Sequence, residues 1–136
     1  MTLVRDGMLS DPAALPASAT AQEAASHLVR PDVRVVLVVD DAGGLVGVVT
    51  PDSLVEHVVA AGLDPGTTPV TAATVPPALV LEAGLPLEDG YRLLEEAEVE
   101  RAPVVDEGRL AGVLSRSVVQ RRLAEDEPPA DDEPAS

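Results

Sequence analysis

Val35-Val-Leu-Val-Val-Asp-Asp-Ala-Gly-Gly-Leu-Val-Gly-Val-Val-Thr-Pro-Asp-Ser-Leu54 decides the fold. Two β-branched runs, Val35–Val39 and Leu45–Val49, flank a polar link from Asp40 to Gly44. Its glycines can supply the positive φ that a tight hairpin needs, so the stretch reads strand, turn, strand. The second run meets Thr50-Pro51, a capping hydroxyl followed by proline at the first helical position. A helix is therefore predicted directly off the strand, from Pro51 to about Ala61, stopping at Gly62.

Sliding the chain on itself by 65 residues without a gap lays Val39–Thr50 on Val104–Ser115. Val39/Val104, Asp41/Asp106, Gly43/Gly108, Leu45/Leu110, Gly47/Gly112 and Val48/Val113 are identical, and Thr50/Ser115 keeps the hydroxyl. Upstream, Pro12/Pro77, Ala13/Ala78, Glu23/Glu88 and Leu28/Leu93 also match. Repetition at a fixed period means two copies of one supersecondary unit. A copy of about 60 residues buries too little surface to be secure alone, so the two are expected to share their packing.

Around the hairpins the local signals are regular. A short strand is predicted near Ala14-Leu15. Thr20-Ala-Gln-Glu23 fits a capping box and starts a helix to Val29, which Pro31 ends. In the second copy a strand is predicted over Ala78–Leu81 and a helix from Pro86, with Glu88 and Asp89 in its first turn. Arg101–Val105 and Leu110–Leu114 make the second hairpin, and Ser115 is expected to cap a last helix through Leu123. These signals divide the chain into a first repeat (1–62), a linker (63–69), a second repeat (70–124) and an acidic tail (125–136). The tail holds six acids and three prolines and is expected to be disordered.

Composition excludes several functions. The apolar content is 46%, yet there is one Tyr and no Phe, Trp or Cys, so the core must be Val, Leu and Ala. No disulfide or Cys-based zinc site can form, and His27 and His57 lack metal-ligand spacing, so no metal is expected. A net charge of −15 opposes nucleic acid and anionic membranes. No apolar run reaches the ~18 residues of a membrane span, and the N-terminus lacks a charged-then-apolar signal pattern. A soluble, cytoplasmic protein is expected. With no G-x-S-x-G, P-loop lysine or cysteine nucleophile, it is not read as an enzyme.

The order and duplication of these motifs resemble the CBS (cystathionine-β-synthase-type) domain, and the two copies resemble a CBS pair, or Bateman module. The likeness rests on Asp6-Gly-Met8, Pro12, Gly43–Thr50, Pro103–Asp106 and Gly108–Ser115, and it covers about residues 4–124. It implies a mixed α/β (α+β) fold of tandem β-α-β-β-α repeats, pseudo-twofold, with a cleft between them. Such clefts often take adenosine-containing ligands: AMP, ADP, ATP or S-adenosylmethionine. No resident cofactor is implied.

The resemblance also implies where a ligand would sit. A recurring family pattern is Thr/Ser-x-x-Asp at the start of the last helix, hydroxyl to phosphate or ribose and carboxylate to ribose. Here the pattern reads Thr50-Pro-Asp52-Ser53 in the first copy and Ser115-Arg116-Ser-Val118 in the second. Both copies thus lack the Asp at its usual place, and the first keeps more hydrogen-bonding groups, so a ligand is expected to favour it. Arg34, Arg101 and Arg116 complete the candidate set, since guanidinium matches phosphate bidentately; surface ion pairs are the competing expectation in a chain with 24 acids. The functional expectation is a small regulatory module that senses a ligand. The alternative is a dimerisation or protein-interaction module with a degenerate ligand site. A homodimer is expected on either reading, through the apolar faces Leu54/Val58 and Val119/Leu123.

Overall fold

Both glycine-containing links close hairpins. In this computed structural model, which describes residues 1–10 and 12–126, strands β3 (Val36–Val39) and β4 (Leu45–Val49) pair antiparallel, as do β6 (Arg101–Asp106) and β7 (Arg109–Ser115). Asp40 organises the first turn: its Oδ1 accepts from the amides of Ala42 at 2.9 Å and Gly44 at 2.8 Å. The second turn is tighter, with Glu107 and Gly108 both at positive φ. Each hairpin gains a parallel strand, β2 (Ala14–Pro16) on β3 and β5 (Leu81–Glu82) on β6.

Two helices start where the sequence signals place them. Thr20 and Glu23 form the reciprocal capping box of α2 (Ala21–Leu28), and Pro86 sits at the N-cap of α4 (Leu87–Ala97). Helix α3 (Pro51–Leu54) runs on as a π-helical turn, Val55–Val59, which the sequence signals do not reveal. Helix α5 covers Arg116–Asp126; residues 127–136, most of the expected acidic tail, lie outside the described residues.

Three expectations need correction. Strand β5 is confined to Leu81–Glu82, not Ala78–Leu81: continuing the register would set Val80 against Pro103, which has no N–H to extend the ladder. The lead-in holds more than one short strand, because a helical turn α1 (Val4–Gly7) and strand β1 (Leu9–Ser10) precede β2. The gapless slide, finally, equates the right residues only from Leu45 onward. Val36 faces Val49 while Ala102 faces Leu114, so before the turns equivalent residues are 66 apart, and after them 65. The extra residue lies in the longer first turn. Leu28 therefore answers Leu94, Thr20 answers Pro86, and the upstream identities at 65 are coincidences.

The corrected equivalence exposes an exchange between the halves. Strand β1 pairs with β7, in the sheet β1-β7-β6-β5, and not with the nearer sheet β2-β3-β4. Val4 is fully buried in the second core with Leu81, Leu87, Leu94 and Leu114. Its counterpart Val70, in a 3-10 turn Val70–Ala73, is buried in the first core with Val36, Val38, Val49 and Val58. Each core is thus completed by the segment preceding the other's strands. The hairpin turns are joined as well, with the Leu110 amide donating to Gly43 O at 2.9 Å. Val58 and Val119, expected on half-covered faces, are core residues.

Candidate functional site

Thr50 ends the first hairpin and caps α3. Its hydroxyl accepts the Ser53 amide at 3.1 Å, while Ser53 Oγ accepts the Thr50 amide at 2.9 Å and donates to Thr50 O at 3.0 Å. Ser53 is 4% exposed, and its hydroxyl is fully engaged inside this loop of bonds. Thr50 keeps its own hydroxyl proton for an outside acceptor.

Thr50, Pro51 and Asp52 form one wall of a cleft of about 470 Å³, and Leu28 to Pro31, Val33 and Arg34 form the other. The short connection between α2 and β3 thereby brings Arg34 to the helix that follows β4. A smaller apolar recess of about 160 Å³ adjoins it, shares Arg30 and Val33, and is lined by Ala14, Leu15, Val35 and Val36. Among the described residues neither Arg30 nor Arg34 forms an ion pair. With Asp52 the only acid among the cleft's lining residues, its two arginines leave it one net positive charge in an acidic chain, which favours an anion there.

The second repeat arranges the same positions differently. Ser115 does not cap its helix as Thr50 does. Its hydroxyl donates to Glu100 Oε2 at 3.1 Å, and the Ser117 amide donates to the same oxygen at 3.2 Å. Arg116 Nε stands 3.7 Å from Glu100 Oε1. The Ser117 amide is the main cause that holds the Glu100 carboxyl below its ordinary pKa, aided by the two serine hydroxyls and the Arg116 charge. Partial desolvation and the neighbouring Glu95 carboxylate push the Tyr91 phenol up, against the nearby Arg116 charge.

Of the residues singled out in the sequence, the structure brings Arg34, Thr50 and Asp52 together. It places Ser53 behind Thr50, and it gathers Ser115 and Arg116 around Glu100. Arg101 stands apart, exposed at the start of β6 opposite Ser115. Arg116 has the surface ion pair expected of it, while Arg34 and Arg101 have none among the described residues. Sequence reading missed Arg30 and Glu100. The signal for Glu100 was present, since the 66-residue equivalence sets it against Arg34. Among the described residues no three His, Cys, Asp or Glu side chains gather as a metal would require. No helix among them is long and apolar enough to cross a membrane.

Comparison with known proteins agrees with this architecture. The family model of the CBS domain matches twice, over residues 4–60 and 70–125. The chain is 28% identical over 125 residues to Hypoxic response protein 1 of Mycobacterium tuberculosis, covering 92% of this chain and 87% of that protein. It is 30% identical over 115 residues to the CBS domain-containing protein YhcV of Bacillus subtilis, covering 85% and 81%. Among solved structures, CBSX2 of Arabidopsis thaliana in complex with AMP superposes with a TM-score of 0.73 at 30% identity, covering 92% of this chain and 98% of that one. Hypoxic Response Protein I with two coordinated zinc ions gives a TM-score of 0.73 at 27% identity, covering 90% and 99%.

Proposed function

The chain belongs to the CBS-domain family and is built as a CBS pair, and on that premise we propose that it is a small, non-catalytic regulatory module whose first cleft binds an adenine nucleotide. The observation that carries this reading is the convergence of Arg30 and Arg34, free of ion pairs among the described residues, on the cleft that also holds Thr50 and Asp52. The apolar recess suits a purine base, the Asp52 carboxylate suits ribose hydroxyls, and the arginines with the Thr50 hydroxyl suit phosphate. That a relative at 30% identity holds AMP supports the ligand class. The basic wall favours AMP, ADP or ATP over S-adenosylmethionine, whose sulfonium it would repel.

Titration calorimetry with the four ligands tests this. Arg34→Ala and Thr50→Val should each weaken nucleotide binding by about one to two decades, the cost of a lost charged or buried hydrogen bond, and Ser115→Ala should leave it nearly unchanged. Loss of binding on changing Ser115 alone, or no binding to any nucleotide, would refute it.

A specific observation also favours an interaction role. Val55 and Val59 are 56% and 68% exposed, one turn apart on the outer face of the α3 extension, with half-exposed Leu63 beyond them. We place the homodimer contact there, one position around the helix from the buried Val58. Light scattering at tens of micromolar should give about twice the 14.0 kDa chain mass, and Val59→Glu should return it to monomer.

A further inference from the structure

Glu100 occupies in the second repeat the place of Arg34 in the first. Each lies two residues before the matched strand pairs, Ala102 opposite Leu114 and Val36 opposite Val49. Their charges are opposite. Arg34 lines a cleft and has no ion pair among the described residues, while Glu100 is bound by Ser115, Ser117 and Arg116. Ser115 is the counterpart of Thr50, so the hydroxyl that faces the cleft in the first repeat is engaged in the second repeat by the protein's own carboxylate.

The backbone explains the difference. The Arg116 amide donates to Glu100 O at 2.7 Å, and the β6–β7 ladder extends to the pair Arg101–Ser115. Pro51 stands where Arg116 stands and has no N–H to give, so β3 begins only at Val36 and Arg34 stays outside the ladder. One other charge follows the same reversal: Arg30 is answered by Glu96. An incoming phosphate would have to break charge-assisted bonds to Glu100 and meet the negative charge on its carboxylate. The Val118 side chain offers it no acceptor or donor in return.

We infer that Glu100 is a resident anion that takes the place a phosphate would need beside Ser115 and sets the stoichiometry of this chain, one phosphate-bearing ligand bound at the cleft of the first repeat. The inference rests on the nucleotide reading above for the first site, but not for Glu100. Titration of the full chain with ATP, with the Ser117 amide followed by proton–nitrogen NMR, tests both separately. The wild type should bind one ATP per chain and leave the Ser117 amide unmoved. Glu100→Arg, which restores the charge of the first repeat, should bind a second ATP about tenfold or more weakly and shift that amide. Glu100→Gln, isosteric with the native side chain, should show the same second site more weakly, and it decides the matter if the arginine variant does not fold. Two sites in the wild type, or variants that both stay at one, overturn the inference. If the wild type takes no ATP, the first-cleft reading falls; a variant that gains one site at Ser117 then still supports the role of Glu100, and no gain overturns that as well.

Discussion

Gly47 and Gly112 lack a side chain because a neighbouring backbone lies where it would go. A Cβ on Gly47 would stand 2.6 Å from Val75 O, and one on Gly112 would stand 2.6 Å from Leu9 O. Val48 and Val75 exchange amide bonds at 2.9 and 2.8 Å, and Leu9 pairs with Val113, so neither backbone can yield cheaply. Alanine at either glycine should therefore cost about 1–3 kcal/mol, read as a lower urea midpoint with an unchanged slope. An unchanged midpoint would show that the crossing segments are loosely held. Glu100 gives a second prediction at this scale. Its carboxyl is held below the ordinary value, chiefly by the Ser117 amide, so the folded state binds its proton less readily than the unfolded chain does. The stability it adds is complete above the usual carboxylate range and is lost as pH falls through its lowered pKa. The side chain is half exposed, so the effect is modest and salt-sensitive. Urea midpoints of wild type and Glu100→Gln should differ most near neutral pH and converge in acid, as pH falls through the lowered Glu100 pKa. A pH-independent gap would contradict this.

Elements were legible where the signal was local. The capping box at Thr20 and Glu23, the Thr50-Pro51 helix start and the Asp40 turn each act within about four residues, and each forms as read. What escaped was non-local. The α1 turn, Val4–Gly7, has no helix-length periodicity and exists because Val4 is buried against Leu81, Leu87 and Leu94 of the other repeat. Gly90, which looks like a weak point in α4, makes room for it: a Cβ there would lie 2.8 Å from Val4 Cγ2. The site was legible in the same measure. In the candidate site, Thr50 and Arg34 could be picked from motif and chemistry, whereas Glu100 required the strand register and Arg30 the path of the connection between α2 and β3. Because Val4 and Val70 each complete the opposite core, Val4→Ala should cost about 2 kcal/mol and act on the second repeat, and Val70→Ala should act on the first. Amide exchange would locate each effect: faster exchange in β6 and β7 for the first variant, in β3 and β4 for the second. The same region responding to both would show that the exchange of segments does not divide the cores.

At the scale of the whole molecule, duplication supplies the frame and divergence within it supplies function. The joined turns and exchanged segments tie the halves together, while Pro51 against Arg116 and Arg34 against Glu100 make the surroundings of Thr50 and Ser115 chemically unlike. A symmetric pair would offer two equivalent sites; on the proposed reading this one takes a single nucleotide, beside Thr50. The most direct test is an amide chemical-shift map of the full chain titrated with AMP. The account predicts shifts concentrated at residues 28–36 and 50–52, with residues 99–101 and 115–118 still. Shifts confined to the second set would contradict it.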